Sequence, residues 1–243
     1  MRKSLKISLY VLVIILVFVG VVWSNYHRAN SLVRGLEVTI RYDDCDTLVT
    51  SEDVEALVQQ QLPHMLTQLV KEVDKSQVKS AVEKSPYLQK CDVNVTVGRK
   101  IVVRGLQRRP IVRVFGDTSE FYMDSVGVMM PMSEHNEMDV IVASGNLKSK
   151  QSIATVCMLA TYLYNHEEYK SLFDQIYLEK NGDIYLIPKI GGHVVLLGDT
   201  SYLDEKMSNL MVMYRKGMQK TGWDTYKMIN LKYKNQVICR KRK

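Results

Sequence analysis

The sequence predicts an α+β protein that is anchored in a membrane by a single N-terminal transmembrane helix. Three observations support this fold class: a long uncharged apolar run near the start, a strand-helix-helix-strand-strand order after it, and a longer C-terminal region in which strands are interrupted by two helices. The chain of 243 residues is long enough for the anchor and two modest domains with their own cores.

The apolar run at residues 7–23 predicts the anchor. It carries no charge and follows three basic residues. At about 1.5 Å per helical residue it spans roughly 26 Å, which is the short end of what crosses a bilayer. Because Lys and Arg hold their flank in the cytoplasm, residues 1–6 are expected to form a cytoplasmic tail and residues 7–24 a transmembrane helix. The rest of the chain is then extracytoplasmic.

A secretory signal peptide is the competing interpretation of this run. Its apolar core would measure about 7–15 residues and end at a small-residue cleavage site. Residues 24–28 offer no such site, and the first cysteine, Cys45, lies too far along for lipid attachment. We therefore expect an uncleaved anchor. An extracytoplasmic domain lacks a dependable supply of ATP or NAD(P)H. It is therefore expected to act by binding, hydrolysis or redox exchange.

Charge and cysteine content restrict the class of partner. The formal net charge is +7, but three of the 33 basic residues precede the apolar run and four form the tail at 240–243, so the folded body is near neutral against 26 acidic residues. A nucleic-acid-binding face is therefore not expected. The tail either touches an acidic partner or lipid headgroups, or is simply solvated. The four cysteines are scattered without a CxxC pair, so buried thiols are expected.

Residues 33–110 are predicted to form the smaller domain. Residues 36–42 alternate apolar and polar side chains, as a half-buried strand does. Thr50 and Asp74 each occupy the N-cap position of a predicted helix, with a carboxylate or an amide three residues later. Pro63 is expected to interrupt the first of these helices.

Two further strands complete this domain. Residues 91–97 alternate strictly, so Val93, Val95 and Val97 are expected to face the two helices. After a tight turn, residues 101–106 return as the partner strand. The resulting β-α-α-β-β order, with helices on one face of a sheet, is typical of a small α+β domain.

Residues 111–243 are predicted to form an antiparallel sheet domain with two helices and the basic tail. Residues 150–164 and 203–217 carry apolar side chains at helical spacing. Residues 175–188 are predicted to form a hairpin, with Asn181 and Gly182 as its two-residue turn.

The order of elements and several short motifs resemble a known family. The smaller domain is similar to the POTRA module, which holds or passes on polypeptide outside bacterial membranes. Behind it come an Arg-Pro step at 109–110, an aromatic-x-Asp-x-x-Gly turn at 122–127, a strand closing on Leu-Gly at 194–198 and an Ile-Asn-Leu-Lys-Tyr strand at 229–233. Together with the anchor, these motifs resemble the bacterial division protein family FtsQ/DivIB along the whole chain.

Two departures from the family pattern concern charge. An acidic residue usually precedes the Arg-Pro step, but here Gln107 and Arg108 do. Asn230 and Lys232 stand where Asp and Arg are usual. Both changes are compatible with a strand but weaken the charges of the family pattern. A shift in partner specificity could accompany them.

The resemblance implies a non-catalytic bitopic scaffold of the bacterial cell division machinery that links early and late division proteins. The implied partners are FtsB-like and FtsL-like single-pass division proteins. The implied location is the cytoplasmic (inner) membrane at the division septum, with the bulk of the chain periplasmic. No cofactor, metal, nucleic acid or small-molecule substrate is expected. The alternative from another class is a membrane-tethered envelope hydrolase or chaperone built on a POTRA module.

The residues themselves offer little support for an enzyme. The five histidines occur singly, and the sequence holds no HExxH or HxH grouping, no G-x-S-x-G elbow and no glycine-rich phosphate loop. His135 and His166 lie beside glutamates, but loop or helix-end positions explain both. Asp124 is expected to set a turn through its side chain and backbone.

The partner site is expected on the C-terminal strand, residues 229–239. An edge strand presents unpaired N–H and C=O groups to which an extended segment can add. Tyr233, which matches the family motif, would anchor the contact. The contact would continue along the edge through Lys234, Asn235, Gln236, Val237 and Ile238. The alternative is that these residues only close the core while the basic tail shields the edge.

Overall fold

The computed structural model describes residues 2–43, 45–116 and 119–242, with side chains described from residue 9 onwards. The chain divides into two compact units, Met1–Arg108 and Arg109–Lys243. Both units contain sheets and helices, so the predicted α+β class is confirmed.

The N-terminal helix, α1, runs from Arg2–Ala29 and is longer at both ends than the predicted span 7–24. Its segment Leu9–Ala29 has a mean hydropathy of 2.2, and none of that segment is buried against the rest of the protein. This is the one helix in the described residues that is long and apolar enough to cross a membrane. Its exposed apolar side chains are explained if lipid surrounds them.

The rest of the first unit has the predicted β-α-α-β-β order. Its strands are β1 (Gly35–Arg41), β2 (Leu88–Val95) and β3 (Lys100–Gln107), and its helices are α2 (Ser51–Gln61) and α3 (Lys75–Val82). Two short 3₁₀ turns, Met65–Thr67 and Val70–Glu72, connect the helices. The sheet order is β1-β3-β2, with β3 parallel to β1 and antiparallel to β2.

The predicted helix starts are confirmed by their capping bonds. Thr50 Oγ1 accepts from the Asp53 amide at 3.2 Å, and the Asp53 carboxylate accepts from the Thr50 amide at 2.8 Å. Asp74 Oδ1 accepts from the Ser76 amide at 2.8 Å. Helix α2 ends at Gln61, before Pro63, because proline cannot donate the next helical bond.

The inward-facing residues of β2 follow the predicted pattern for only part of the strand. Val93 is buried, and Val95 packs half-buried against the same core. The prediction for Val97 was wrong: the strand ends at Val95, and the Val97 side chain is 80% exposed in the turn that follows. The alternation of apolar and polar residues continues past the end of the strand by chance, because Val97 in the turn happens to lie two positions after Val95.

The second unit contains the remaining strands and helices. Its strands are β4 (Pro110–Phe115), β5 (Glu120–Asp124), β6 (Met129–Pro131), β7 (Ile141–Gly145), β8 (Phe173–Leu178), β9 (Ile184–Pro188), β10 (Val194–Gly198), β11 (Tyr226–Asn230) and β12 (Ile238–Lys241). Its helices are α4 (Lys150–Asn165), α5 (Leu203–Val212) and α6 (Gln219–Thr221), with a π-helical segment, Met213–Met218, joining the last two.

These strands form one sheet in the order β12-β11-β10-β9-β8-β7-β4-β5-β6. The expectation of an antiparallel sheet was wrong in detail, since the pairs β4–β7, β7–β8 and β10–β11 are parallel. Helix α4 connects β7 to its parallel neighbour β8, and the stretch from α5 to α6 connects β10 to β11. Adjacent parallel strands need a long crossover connection. Each of the two predicted helical regions supplies one, and this makes the sheet mixed.

The β8–β9 hairpin is confirmed, but its turn is longer than two residues. The Glu179 amide donates to Asp183 O at 2.9 Å, and the Gly182 amide donates to Glu179 O at 3.0 Å. Gly182 has a φ of 89°, in the left-handed region that favours glycine. This is the three-residue hairpin loop, with a type I turn followed by a left-handed residue.

Candidate partner-binding edge

Strand β12 forms one edge of the large sheet. It pairs antiparallel with β11, with Ile229 opposite Cys239 and Asn230 opposite Ile238. The amide of Arg242, just beyond the strand, donates back to Thr225 O at 2.9 Å. Because alternate amides of a strand point to the same side, those of Cys239 and Lys241 point away from β11.

The C-terminal residues do not form the single strand predicted for 229–239. Strand β11 ends at Asn230, residues 233–236 form a turn, and only Ile238 of the proposed contact residues belongs to a strand. Asn235 has a φ of 58°, a conformation that asparagine tolerates better than most residues. The turn is closed by the Gln236 amide, which donates to Tyr233 O at 3.3 Å.

The expected contact residues nevertheless gather at one end of β12. Tyr233 is 55% exposed at the start of the turn, and Ile238 is 47% exposed where the strand begins. Val237 lies between them, half-buried against the core. An exposed aromatic side chain thus lies shortly before β12, and an exposed aliphatic side chain lies at its first residue.

Helix α5 holds the turn in place. The Asn235 amide donates to Glu205 Oε1 at 3.2 Å. The Lys234 ammonium lies 4.8 Å from the centre of the Tyr202 ring, a cation–π contact. Tyr202 is itself well exposed, so it extends the aromatic surface beside Tyr233.

Asn230 and Lys232, which depart from the family pattern, make contacts within the second unit. Asn230 Oδ1 accepts from the Lys232 amide at 2.8 Å, and Lys232 Nζ forms an ion pair with Asp183 Oδ1 at 2.8 Å. This hydrogen bond to Asp183 raises the pKa of the Lys232 ammonium. Gly198, with a φ of 77°, lies against the Lys232 stem, where an added Cβ would come within 2.9 Å of Lys232 Cγ.

A buried aromatic cluster near β10 and β11 was not predicted from the sequence. His193 is 1% exposed, and its Nε2 lies 2.8 Å from Tyr214 Oη. Trp223 packs against both rings. The guanidinium of Arg242 donates to Gly192 O at 2.6 Å, which ties the end of the basic tail to the loop beside His193. Burial, with Arg242 as the second cause, lowers the pKa of His193.

Asp124 and His166 are both held in structural contacts. Asp124 Oδ1 accepts from the amides of Val126 and Val128 at 3.0 and 2.8 Å, so the predicted turn is confirmed. His166 caps the end of α4, with Nδ1 2.7 Å from Tyr162 O. Within the described part of the chain, no group of three or more His, Cys, Asp or Glu side chains could hold a metal ion, and the four cysteines are free thiols.

One helix suited to a membrane, together with two α+β units, fits the class of single-pass membrane proteins. A family model described as FtsQ/DivIB, C-terminal related, matches residues 109–240. The match covers more than half of the chain, so the chain belongs to the FtsQ/DivIB family, whose members are non-catalytic division proteins. No curated protein sequence matches the chain.

Proposed function

We propose that this protein is a non-catalytic bitopic scaffold of the bacterial division machinery. In this proposal residues 33–110 are a POTRA-like domain and residues 111–243 a second domain that captures partners. Family membership supports a role in division, and the Leu9–Ala29 segment supports a membrane anchor. The N-terminus is cytoplasmic and the two units are periplasmic at the septum, as the basic N-terminal flank favours.

The single observation that carries the proposal is the open edge at β12. Two of its amides point away from β11, and the exposed side chains of Tyr233 and Ile238 lie before and at its start. An extended segment of a partner gains main-chain hydrogen bonds by adding to such an edge, and apolar side chains beside it supply specificity. The partners are FtsB-like and FtsL-like single-pass division proteins, and an extended segment of a partner adds to this edge.

The contact surface is composed of Tyr233, Lys234, Asn235, Gln236, Val237 and Ile238, together with the rest of β12. Tyr233 is the aromatic anchor, and Ile238 begins the strand to which the partner adds. Lys234 and Asn235 act differently, because their contacts with Tyr202 and Glu205 fix the turn. Their truncation therefore weakens partner capture indirectly, by loosening the turn.

A proline substitution tests pairing through the main chain. Cys239→Pro removes an outward-facing donor and leaves the bonds to β11 in place, as an edge strand allows. Cys239→Val is the matched control, because it keeps the donor and a half-buried side chain. We expect proline to weaken capture of an FtsB-like partner about tenfold relative to valine, since one lost bond with a stranded acceptor costs about 1–3 kcal/mol.

The measurement is co-purification of the partner with the full chain from detergent extract, with thermal unfolding as the check on the fold. Equal capture by two equally stable variants would move the site away from β12. Depletion in cells separates the scaffold from the hydrolase or chaperone alternative. Loss of a scaffold leaves filaments with unfinished septa, whereas loss of a hydrolase leaves intermediates of wall or protein turnover.

A further inference from the structure

Three loops of the first unit lie together beside the end of α1, and we call them the basal surface: residues 31–34, 68–72 and 96–100. Hydrogen bonds join them. The Val33 amide donates to Gln68 O at 3.1 Å, and the Val70 amide donates to Ser31 O at 2.9 Å. On the other side, the Arg34 amide donates to Arg99 O at 2.8 Å. The segment that leaves the helix is therefore fastened between the 3₁₀ turn and the tip of the β2–β3 hairpin.

The basal surface is close to the membrane because almost no linker separates it from α1. Leu9–Ala29 contains 21 residues, about 31 Å of helix, which matches a hydrocarbon core of about 30 Å. Ser31, two residues after the helix ends, already makes a main-chain hydrogen bond to Val70 of the basal surface. Even a fully extended chain of five residues reaches only about 18 Å, so Arg34, to which the hairpin tip is bonded, stays within that distance of Ala29.

Aromatic residues are placed close to the membrane surface. Trp23 and Tyr26 are exposed near the end of α1, and such side chains concentrate at the boundary between hydrocarbon and headgroups. Lys71, on the basal surface, donates from Nζ to Asn30 Oδ1 at 2.7 Å. Its ammonium group therefore lies one residue beyond the membrane segment, at the depth of the headgroups.

The basal surface combines positive charge with exposed apolar side chains. Arg34, Lys71 and Arg99 are its cations besides Lys100, which is paired with Glu37 at 3.1 Å. The nearby carboxylate of Glu72 accepts a hydrogen bond from the Leu69 amide. Val97 is among the most exposed apolar residues of the unit, and Leu32 is more than half exposed.

We propose that the basal surface binds the anionic phospholipid headgroups of the membrane that α1 crosses. Arg34, Lys71 and Arg99 lie against the lipid phosphates, and Val97 inserts between headgroups at the tip of the hairpin. Cations with an apolar tip are the chemistry of proteins that lie on anionic membranes, and each basic residue near such a surface contributes about 1 kcal/mol. The contact fixes the first unit upright on the bilayer.

The proposal is tested on the full chain in lipid nanodiscs that contain a small fraction of lipid with a paramagnetic gadolinium headgroup. Labelling with ¹⁵N-glycine gives few signals, since the chain has 13 glycines. Gly98 at the hairpin tip is the reporter. Gly105 is the internal reference, because it lies in β3 seven residues after Gly98 and about 17 Å beyond Lys100, where the strand begins. We expect stronger broadening of Gly98 relative to Gly105 in discs with phosphatidylglycerol than in discs of phosphatidylcholine alone.

Two substitutions identify the groups responsible. Arg99→Asn removes one charge and keeps the φ of 64°, which asparagine tolerates; Val97→Thr removes the apolar tip. Arg99→Asn is expected to lower the ratio of docked to undocked protein about fivefold, the equivalent of about 1 kcal/mol. Lys180→Asn, an exposed change in the second unit, is the charge control and leaves the broadening unchanged. Equal broadening in both membranes, or broadening that survives both substitutions, would overturn the proposal.

Discussion

The contacts of Gln107 explain why an amide stands where the family pattern has an acidic residue. Its side chain is buried and makes four hydrogen bonds to the loop before α2. Oε1 accepts from the amides of Leu48 and Val49 at 2.7 and 3.3 Å, and Nε2 donates to Asp46 O at 2.8 Å and to Cys45 Sγ at 3.2 Å. An ionised carboxylate accepts but cannot donate, so an acidic residue could make only half of these bonds.

The buried His193 makes stability dependent on pH. Its pKa in the folded state is below the ordinary value of about 6.5, because burial and Arg242 both disfavour the charged ring. Below pH 6.5 the unfolded chain therefore binds a proton that the folded chain does not. Stability is lost as the pH falls towards the folded pKa, by at most about 2 kcal/mol at pH 5.

The measurement is urea unfolding of the second unit in the detergent-solubilised chain at pH 7 and pH 5, followed by the fluorescence of Trp223, which packs against His193. His193→Gln should reduce the difference between the two pH values. His166→Gln is the control, because His166 is exposed at the end of α4. An unchanged pH dependence in His193→Gln would assign it to other groups.

At the scale of an element, strand β2 gives a matched pair of substitutions. Val93 is buried against the helices, and its neighbour Asn94 is exposed on the other face. Val93→Asp places a carboxylate in the core and should cost several kcal/mol of unfolding free energy, whereas Asn94→Asp should be tolerated. Urea unfolding of both variants compares them. If their midpoints coincide, the assignment of the two faces is wrong.

Elements defined by neighbouring residues could be predicted from the sequence, and those defined by distant pairing could not. The caps at Thr50 and Asp74 depend on side chains three residues apart, so the helix starts were visible. The parallel pairs of the large sheet depend on strands separated by whole helices, which no local period records. In the candidate site, the sequence places Tyr233 and Ile238 on the proposed contact surface, and both side chains are exposed. The turn between them was missed, although the polar run at 234–236 breaks the alternation of a strand.

At the scale of the whole molecule, orientation in the membrane is the remaining prediction. The basic residues before the anchor should keep the N-terminus in the cytoplasm. Protease added to intact spheroplasts should then remove both units and leave a short fragment that carries an N-terminal tag. A protected C-terminal tag would show the opposite orientation. Lysed spheroplasts are the control, since protease then reaches both ends.

The parallel pairing of β1 with β3 has a mechanical consequence. The chain enters the sheet of the first unit at Gly35, beside Lys100, and leaves it past Leu106, beside Arg41. Entry and exit are therefore at opposite ends of the paired strands, about 20 Å apart. Tension between the anchor and the second unit pulls the two strands past each other along their length. All the bonds between them then share the load, whereas strands pulled apart from one end break one bond at a time. The pairing of β1 with β3 therefore suits the first unit to resist tension along its strands.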